Sequence, residues 1–386
     1  MISISDPKNC CGCTACASIC PHQAINMQPD SLGFLYPLVD NTKCTNCGLC
    51  EKVCAFNDNY DTSQNLPEPI ALGARHKDIE EVMNSRSGAV FVALSDYVLE
   101  HNGVVYGAGY SEHFQVIHKR ATNKQERDEL RGSKYVQSDL TGIFPQVKKD
   151  LKEGLLVLFS GTPCQTAGLA SYIGKKLRSN LLLVDIVCHG VPSPYIWRDY
   201  LSFLEEKHCS KATEVDFRNK KLYGWRAHKD TIVFENNEIE NVAWYSQFFY
   251  NGLFFRDSCE KCHFCNLKRP SDFTLGDFWG LEKQDTQFNA DDKGVSLLLI
   301  NTTKGEYFFN QIKEQLSTIK TTIPIYTAAN PNLRIPSWIH PKKKQFVYDY
   351  SHKGFTYIYK HDYNKVSYLH LQIRKLKNKI KTLLHK

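Results

Sequence analysis

Two stretches of this chain repeat one pattern of thiols. "CCGCTACASICP" places Cys10, Cys13, Cys16 and Cys20 at the spacing C-x2-C-x2-C-x3-C, and "CTNCGLCEKVCA" places Cys44, Cys47, Cys50 and Cys54 the same way. Thiolates are soft ligands that suit iron-sulfur clusters and zinc alike. Zinc takes closed four-cysteine sites made from two C-x2-C pairs, which explains neither run well. Two such runs instead predict two [4Fe-4S] clusters, the fourth cysteine of each run ligating the other cluster. Cys10, Cys13, Cys16 and Cys54 then hold one, and Cys44, Cys47, Cys50 and Cys20 the second. Two intervening residues let a tight loop aim three thiolates at one cube, while the longer last step sends the fourth to its neighbour. Pro21 follows the first run as expected, but Ala55 stands where the second would have proline. Cys11 is surplus to the pattern and reads as a non-ligand.

This repeat is the signature of a two-cluster ferredoxin domain, which moves single electrons and does no bond chemistry alone. A third run, "SCEKCHFC", carries Cys259, Cys262 and Cys265 at C-x2-C-x2-C, but Cys265 is the last of fifteen cysteines and no fourth ligand follows. Any metal held there must borrow from a distant part of the chain. Cys209, in the polar "EKHCSKA", reads as an ordinary thiol.

The elements that would position these groups fall into four parts. Residues 1–57 form the ferredoxin-type unit, and the polar stretch 58–69 reads as a linker. "AVFVALSDYVLEHN" has helical spacing, while "GVVYGAGY", "GLLVLFSG" and "NLLLVDIVCHG" are short apolar runs ending in glycine, as buried strands do. Strands alternating with helices predict an α/β body with a substantially parallel sheet, in two parts over 70–150 and 151–330. The fold class is thus α+β: a dicluster ferredoxin-like domain, an α/β domain and a basic C-terminal helix. Two strand ends carry a cysteine in a tight turn, Cys164 in "GTPCQ" and Cys188 in "VCHG", where such folds commonly place their chemistry.

A chain of 386 residues with 42% hydrophobic content has room for two or three cores. Its opening residues lack the apolar stretch of a signal peptide, and the longest apolar runs, Leu155 to Phe159 and Leu181 to Val184, are too short to span a bilayer. A cytoplasmic location is expected, which favours metal-bound thiolates over disulfides. The net charge of +7 is local: residues 340–386 hold eleven Lys, one Arg and two Asp, leaving the other 339 residues at −3. Within the segment 331–386, Val366, Leu369, Ile373, Leu376, Ile380 and Leu383 recur at helical spacing among Lys and Arg. Such a helix would dock on its own domain or a partner, or lie on an anionic membrane surface; nucleic acid is the least favoured partner.

"SRSGAVFVALSDYVLE", "RGSKYVQS", "FSGTPCQTAGL", "VDIVCHGVPSP" and "RDSCEKCHFCNLKRPSDFTLGDFWG" resemble, in that order, motifs of the coenzyme F420 hydrogenase/dehydrogenase beta-subunit family over roughly residues 70–305. The resemblance implies a flavoprotein that binds FAD and a [4Fe-4S] cluster and passes electrons between iron-sulfur centres and a two-electron acceptor. Some relatives are ferredoxin-dependent reductases that do not use the deazaflavin, and others, found in polysaccharide loci, carry an attached dicluster domain. Carried over residue by residue, the family's ligands are Cys164, Cys188, Cys259 and Cys262, with Cys265 competing for the last place. Two strand-end turns and one knuckle can converge on a single cube; the alternative is a zinc knuckle or plain thiols.

The flavin is implied by the same resemblance. Glycine for close approach, amide or hydroxyl donors and cations for a pyrophosphate are offered by Ser87 and Gly88 beside Arg86, by Arg131, Ser133 and Lys134, and by Gly161, Thr162 and Gln165. No G-x-G-x-x-G follows the first strand, so a Rossmann nicotinamide site is unsupported. His189 is a candidate proton donor to a reduced substrate, Asp272 and Asp277 could orient a ring or loop, and Phe278 and Trp279 could shield a cluster or stack on flavin. These readings predict an oxidoreductase that takes electrons from a ferredoxin-like protein and reduces a small molecule, such as a polysaccharide precursor. The alternatives are a non-catalytic electron relay and a true F420-dependent oxidoreductase.

Overall fold

The computed structural model describes residues 1–363. The predicted basic helix from Val366 to Leu383 lies outside the described residues. The ferredoxin-type unit is an antiparallel hairpin, β1 (Ile25–Pro29) and β2 (Leu35–Val39), flanked by the short helices Ala15–Ile19 and Leu49–Lys52 that follow its two cysteine loops. Each loop turns through the left-handed region twice, at Gly12 and Thr14 in the first and at Asn46 and Gly48 in the second. The matching reversals curl both C-x2-C-x2-C runs alike and turn their thiols inward.

The body is built on one eight-stranded sheet. In chain order its strands are β3 (Asn65–His76), β4 (Val104–Tyr110), β5 (Val116–Ala121), β6 (Val157–Gly161) and β7 (Leu181–Ile186); after an antiparallel three-stranded excursion, β8 (Ala212–Asp216), β9 (Thr231–Phe234) and β10 (Ile239–Asn241), come β11 (Phe273–Asp277), β12 (Ser296–Thr302) and β13 (Leu316–Lys320). The spatial order is β13-β3-β12-β11-β7-β6-β4-β5. Only the centre, β4-β6-β7-β11, is parallel; every other pairing is antiparallel. The sheet is therefore mixed where a substantially parallel one was expected, because β4 and β5 form a hairpin and β12 runs against β11. The predicted helix is seen as Val90–Glu100, and the three predicted strands are β4, β6 and β7. β6, β7 and β11 point the same way, so Gly161, Ile186 and Asp277 bring the segments that follow them to one edge.

β3 begins at Asn65, inside the stretch read as linker, with Pro67 and Pro69 in its exposed half ahead of the continuous pairing from Ile70 onward. Tyr60 in that stretch packs against Phe264 (4.8 Å), and its hydroxyl bonds to the Lys268 carbonyl. The C-terminal segment also starts as part of the body. Phe346, Tyr350, Ile358 and Tyr363 are buried with Trp197, Tyr200 and Tyr245, because aromatic residues interrupt its lysines.

The ferredoxin-type unit shares a core with the body. Cys11, Cys13, Ala15, Val53, Ala55 and Phe56 pack in one cluster with Phe144, Phe159, Leu169 and Phe264. Lys8 pairs with Glu260 (2.6 Å) and Lys261 with Asp6 (3.6 Å) at its rim. Gly168, on the helix Pro163–Ile173, makes this closeness possible: a Cβ there would stand 2.7 Å from Cys13 Sγ. Gly168→Leu should push the unit off the body at a cost of about 1–3 kcal/mol. The check is limited digestion with proteinase K, which should cut within residues 58–64 several-fold faster than in the unaltered protein.

Candidate metal centres

Two thiol-lined hollows lie in the ferredoxin-type unit. The outer one, with about 360 Å³ of atom-free space, is lined by Cys20, Cys44, Cys47 and Cys50, together with Met1, Ile25, Val39 and Leu49. The inner one, of about 340 Å³, is lined by Cys10, Cys13, Cys16 and Cys54, with Cys11, Met27 and Phe56. Both groupings cross between the runs in the pattern their spacing predicts. Backbone N–H groups point at the sulfurs: Ile2 at Cys50 (3.2 Å), Ala24 at Cys20 (3.4 Å) and Asn46 at Cys44 (3.4 Å). Such donors stabilise thiolate charge. Each set has buried members, Cys50 in the outer and Cys13 and Cys16 in the inner, but only the outer has an exposed one, Cys47, while Cys13 of the inner set packs in the core shared with the body. Among the described residues no group of three or more His, Cys, Asp or Glu is arranged to hold a single metal ion.

The body gathers a third set. Cys164 sits in the first turn of the helix Pro163–Ile173, Cys188 just beyond β7, and Cys259 in the 3-10 turn Asp257–Lys261, with Cys262 next after it. Gly190 N–H points at Cys188 Sγ and Val191 N–H at Cys259 Sγ, both at 3.4 Å, and the Thr162 hydroxyl lies 3.1 Å from Cys164 Sγ. Burial raises the Cys188 thiol well above its ordinary value, and charge on Cys259, Cys164 and Cys262 raises it further, so the four lie within mutual electrostatic reach. Cys265 belongs to the same neighbourhood. Its thiol is paired with that of Cys262, which raises it, and it feels Cys188 as well.

Cys11 occupies the junction. It packs in one core cluster with Cys13 of the inner set and Cys164 of the body, and the proximity of the three thiols raises Cys11 and lowers both neighbours. One residue thus touches a candidate ligand on each side, a role that the spacing of the runs did not signal.

The flavin candidates have structural work in this arrangement. Thr162 and Gln165 form a capping box, Gln165 Oε1 accepting from Thr162 N–H (2.9 Å) while its amide donates to Ser138 (3.0 Å). Gly161 ends β6 just ahead of them. Gly88 is a crossing point, where a Cβ would stand 2.1 Å from the Ala74 carbonyl oxygen, and Ser87 donates to the Val295 carbonyl (2.7 Å). Arg131 pairs with Glu81 (2.6 Å) and Asp128 (2.7 Å). Ser133 is half-buried in the loop between them and Lys134, whose ammonium donates to the Glu129 (3.0 Å) and Arg131 (2.7 Å) carbonyls.

Beside Cys188 the structure assembles a cationic, aromatic wall that no motif announced. Buried Arg218 pairs with Asp277 and donates to the Trp225 carbonyl (3.1 Å); Trp225 stacks on Trp279 (4.4 Å), and Tyr135 on Phe249 (4.4 Å). His189 packs against Phe249, Tyr250 and Phe255, with Nδ1 3.0 Å from Asn332 Oδ1. Desolvation, with nearby Arg86 adding to it, pulls the Lys134 and Lys220 ammoniums down to about 7. Arg86 Nε, Arg218 Nε and His118 Nδ1 are buried without a hydrogen-bond partner among the described residues. Phe278 is core, whereas Asp272 accepts from Leu183 N–H (2.9 Å) and from the Thr302 hydroxyl (2.8 Å) to hold β11 beside β7. The signal for this wall lay in "FRNKKLYGWRAH", where Arg218 and Trp225 share one short basic and aromatic stretch.

Thiol sets of this kind on this fold define an iron-sulfur protein of the electron-transfer class. Residues 9–57 match the 4Fe-4S dicluster domain, and residues 155–323 match the family described as the C terminus of the coenzyme F420 hydrogenase/dehydrogenase beta subunit. The chain thus carries a segment similar to the C-terminal domain of that beta-subunit family, with the dicluster domain at its N-terminal side. It is similar to the methylamine utilization ferredoxin-type protein MauM of Methylobacillus flagellatus (39% identical over 66 residues, 16% of this chain and 27% of that protein) and of Paracoccus denitrificans (33% over 66 residues, 16% and 29%). The chain thus spans under a third of the length of the curated relatives it matches. A chain of the F420-reducing [NiFe] hydrogenase complex from Methanosarcina barkeri aligns with a TM-score of 0.44 at 16% identity, covering 69% of this chain and 87% of that one. No helix among the described residues is long and apolar enough to cross a membrane.

Proposed function

We propose that this protein is an iron-sulfur flavoprotein oxidoreductase in which three cysteine sets form an ordered electron path. The observation that carries the reading is the shared core at Cys11, which packs in one cluster with Cys13 of the inner set and Cys164 of the body. [4Fe-4S] clusters held by these sets supply one-electron transfer, and a flavin joins that to two-electron chemistry. Cys20, Cys44, Cys47 and Cys50, the set with an exposed member, meet a ferredoxin-like donor protein. Cys10, Cys13, Cys16 and Cys54 abut the body, where Cys164, Cys188, Cys259 and Cys262 receive the electron. The wall of Arg218, Trp225, Trp279, Tyr135 and Phe249 holds FAD beside Cys188, with Arg86, Lys134 and Lys220 drawing in its pyrophosphate, the orphaned Nε of Arg86 and of Arg218 awaiting acceptors and His118 Nδ1 awaiting a donor. His189, adjoining both Cys188 and this wall, is placed to give a proton to a reduced small molecule, such as a polysaccharide precursor. The protein works in the cytoplasm, and its basic C-terminal segment docks a partner protein or an anionic membrane surface.

Anaerobic purification with iron, sulfide and flavin quantified tests the proposal: about twelve iron and one FAD per chain are expected. About eight iron without flavin would leave a two-cluster relay. Flavin affinity carries a further signature. Lys134 and Lys220 gain charge as pH falls through about 7, so FAD should bind more tightly at pH 6 than at pH 8.5 in a fluorescence titration. Equal affinity at both values would remove these lysines from the site.

A further inference from the structure

Arg256 has no accessible surface, yet no carboxylate pairs with it among the described residues. The other deeply buried arginines differ: Arg127 has Asp96 and Asp128, Arg269 has Asp185, and Arg218 has Asp277. Asp257, next in sequence to Arg256, is taken by Lys343. A guanidinium stays protonated even when buried, and an uncompensated buried charge is strongly destabilising.

What surrounds Arg256 is the wall of the inner thiol set. Nε donates to the Cys10 carbonyl (2.7 Å), Nη2 to the Leu35 carbonyl (2.8 Å) and to Cys10 Sγ (3.6 Å), and Nη1 to Gln137 Oε1 (3.1 Å). The guanidinium lies 4.2 Å from the Tyr36 ring centre and 5.5 Å from that of Phe34. Gly12, at φ +71°, leaves the space it fills: a Cβ there would stand 2.8 Å from Nη1. Arg256 comes from the body, three residues before Cys259, yet most of its contacts are to the ferredoxin-type unit.

We infer that Arg256 is the fixed counter-charge of the inner cysteine set, supplied across the junction to favour the reduced state of the cluster held by Cys10, Cys13, Cys16 and Cys54. A cube on four thiolates is anionic, and gains a further negative charge with each electron. A permanent cation hydrogen-bonded to one of its sulfurs therefore raises its potential, since net charge and hydrogen bonds to sulfur set that quantity. Arg256 is a positioning residue: it biases the electron toward the cluster that adjoins the body. The inference rests on the proposed ligand set of the inner cluster.

The test is an EPR-monitored reductive titration of the full chain, with iron counted in every sample. In Arg256→Gln, one cluster signal should titrate lower, its reduced-to-oxidised ratio at the original midpoint falling about tenfold, equal to ~59 mV for one electron. Arg256→Lys should keep most of the original value, and the outer cluster should not move. Gln137→Glu covers the case in which Arg256→Gln does not fold: it sets a carboxylate against Nη1, leaves the guanidinium in place, and should shift the same signal the same way. Unmoved potentials in iron-replete variants, or equal shifts in the Lys and Gln variants, would overturn the inference. An unaltered chain with fewer than about eight iron would instead overturn the two-cluster reading beneath it.

Discussion

Under the proposed three-cluster reading, Cys164→Ala should lower the iron content of the full chain by about four atoms, from about twelve to about eight, while Cys265→Ala should leave it unchanged. Cys164 reaches the site from the first turn of a helix and packs against the core cluster that holds Cys11 of the ferredoxin-type unit. Cys265 has Cys262 as its nearest thiol and lies on the far side of it from Cys164 in sequence. A cube ligated by Cys164, Cys188, Cys259 and Cys262 leaves Cys265 as a neighbour. Iron and sulfide analysis of both variants, purified anaerobically, decides the matter, and loss of iron from Cys265→Ala alone would overturn the assignment.

Arg269→Met has the largest expected effect on stability. Arg269 is buried, pairs with buried Asp185 (2.8 Å) and donates to the carbonyls of Phe264 (2.6 Å) and Ile186 (3.1 Å), tying the cysteine knuckle to the end of β7. Removing it leaves Asp185 charged and alone in a site where burial already pushes its carboxyl up. Breaking such a pair costs about 3–5 kcal/mol, which lowers the melting temperature by roughly 4–6 °C in a chain of this length. The double variant Arg269→Met, Asp185→Leu should regain most of that stability, since an apolar pair replaces the ionic one, but not the body iron, because the knuckle stays untied. Calorimetry alongside iron analysis separates the two effects; a double variant no more stable than the single one would show that the ion pair is not what stabilises this corner.

The parts of this structure that were legible in the sequence are those specified locally. The ferredoxin-type repeat could be read because the spacing within a dozen residues dictates where each thiol points. β4, β6 and β7 could be read because buried strands are continuous apolar runs ending at glycine. β3 was obscured by Pro67 and Pro69, which the strand tolerates in its exposed half but which resemble linker residues in one dimension. The antiparallel margins of the sheet were missed because an apolar run does not record its direction. Arg256, Arg218 and Cys11 were missed for another reason: each is an unremarkable residue in sequence, and its role comes from contacts made across long stretches of chain. Their lack of a motif is the expected mark of tertiary sites.

The two kinds of cysteine site also differ in when they can come into being during synthesis. All eight thiols of the two ferredoxin-type sets have left the ribosome once residue 54 has, so assembly factors can reach them while most of the chain, Arg256 of the inner wall included, is still being made. The body set waits for Cys262, and for a sheet whose β7 must receive β11 from beyond the excursion β8–β10. Because the inner hollow lies in the core shared with Phe144, Phe159 and Phe264, a unit filled early offers the later-emerging body a finished surface to fold against. Maturation would then run from the N-terminal side toward the body, the same direction in which the electrons are proposed to travel.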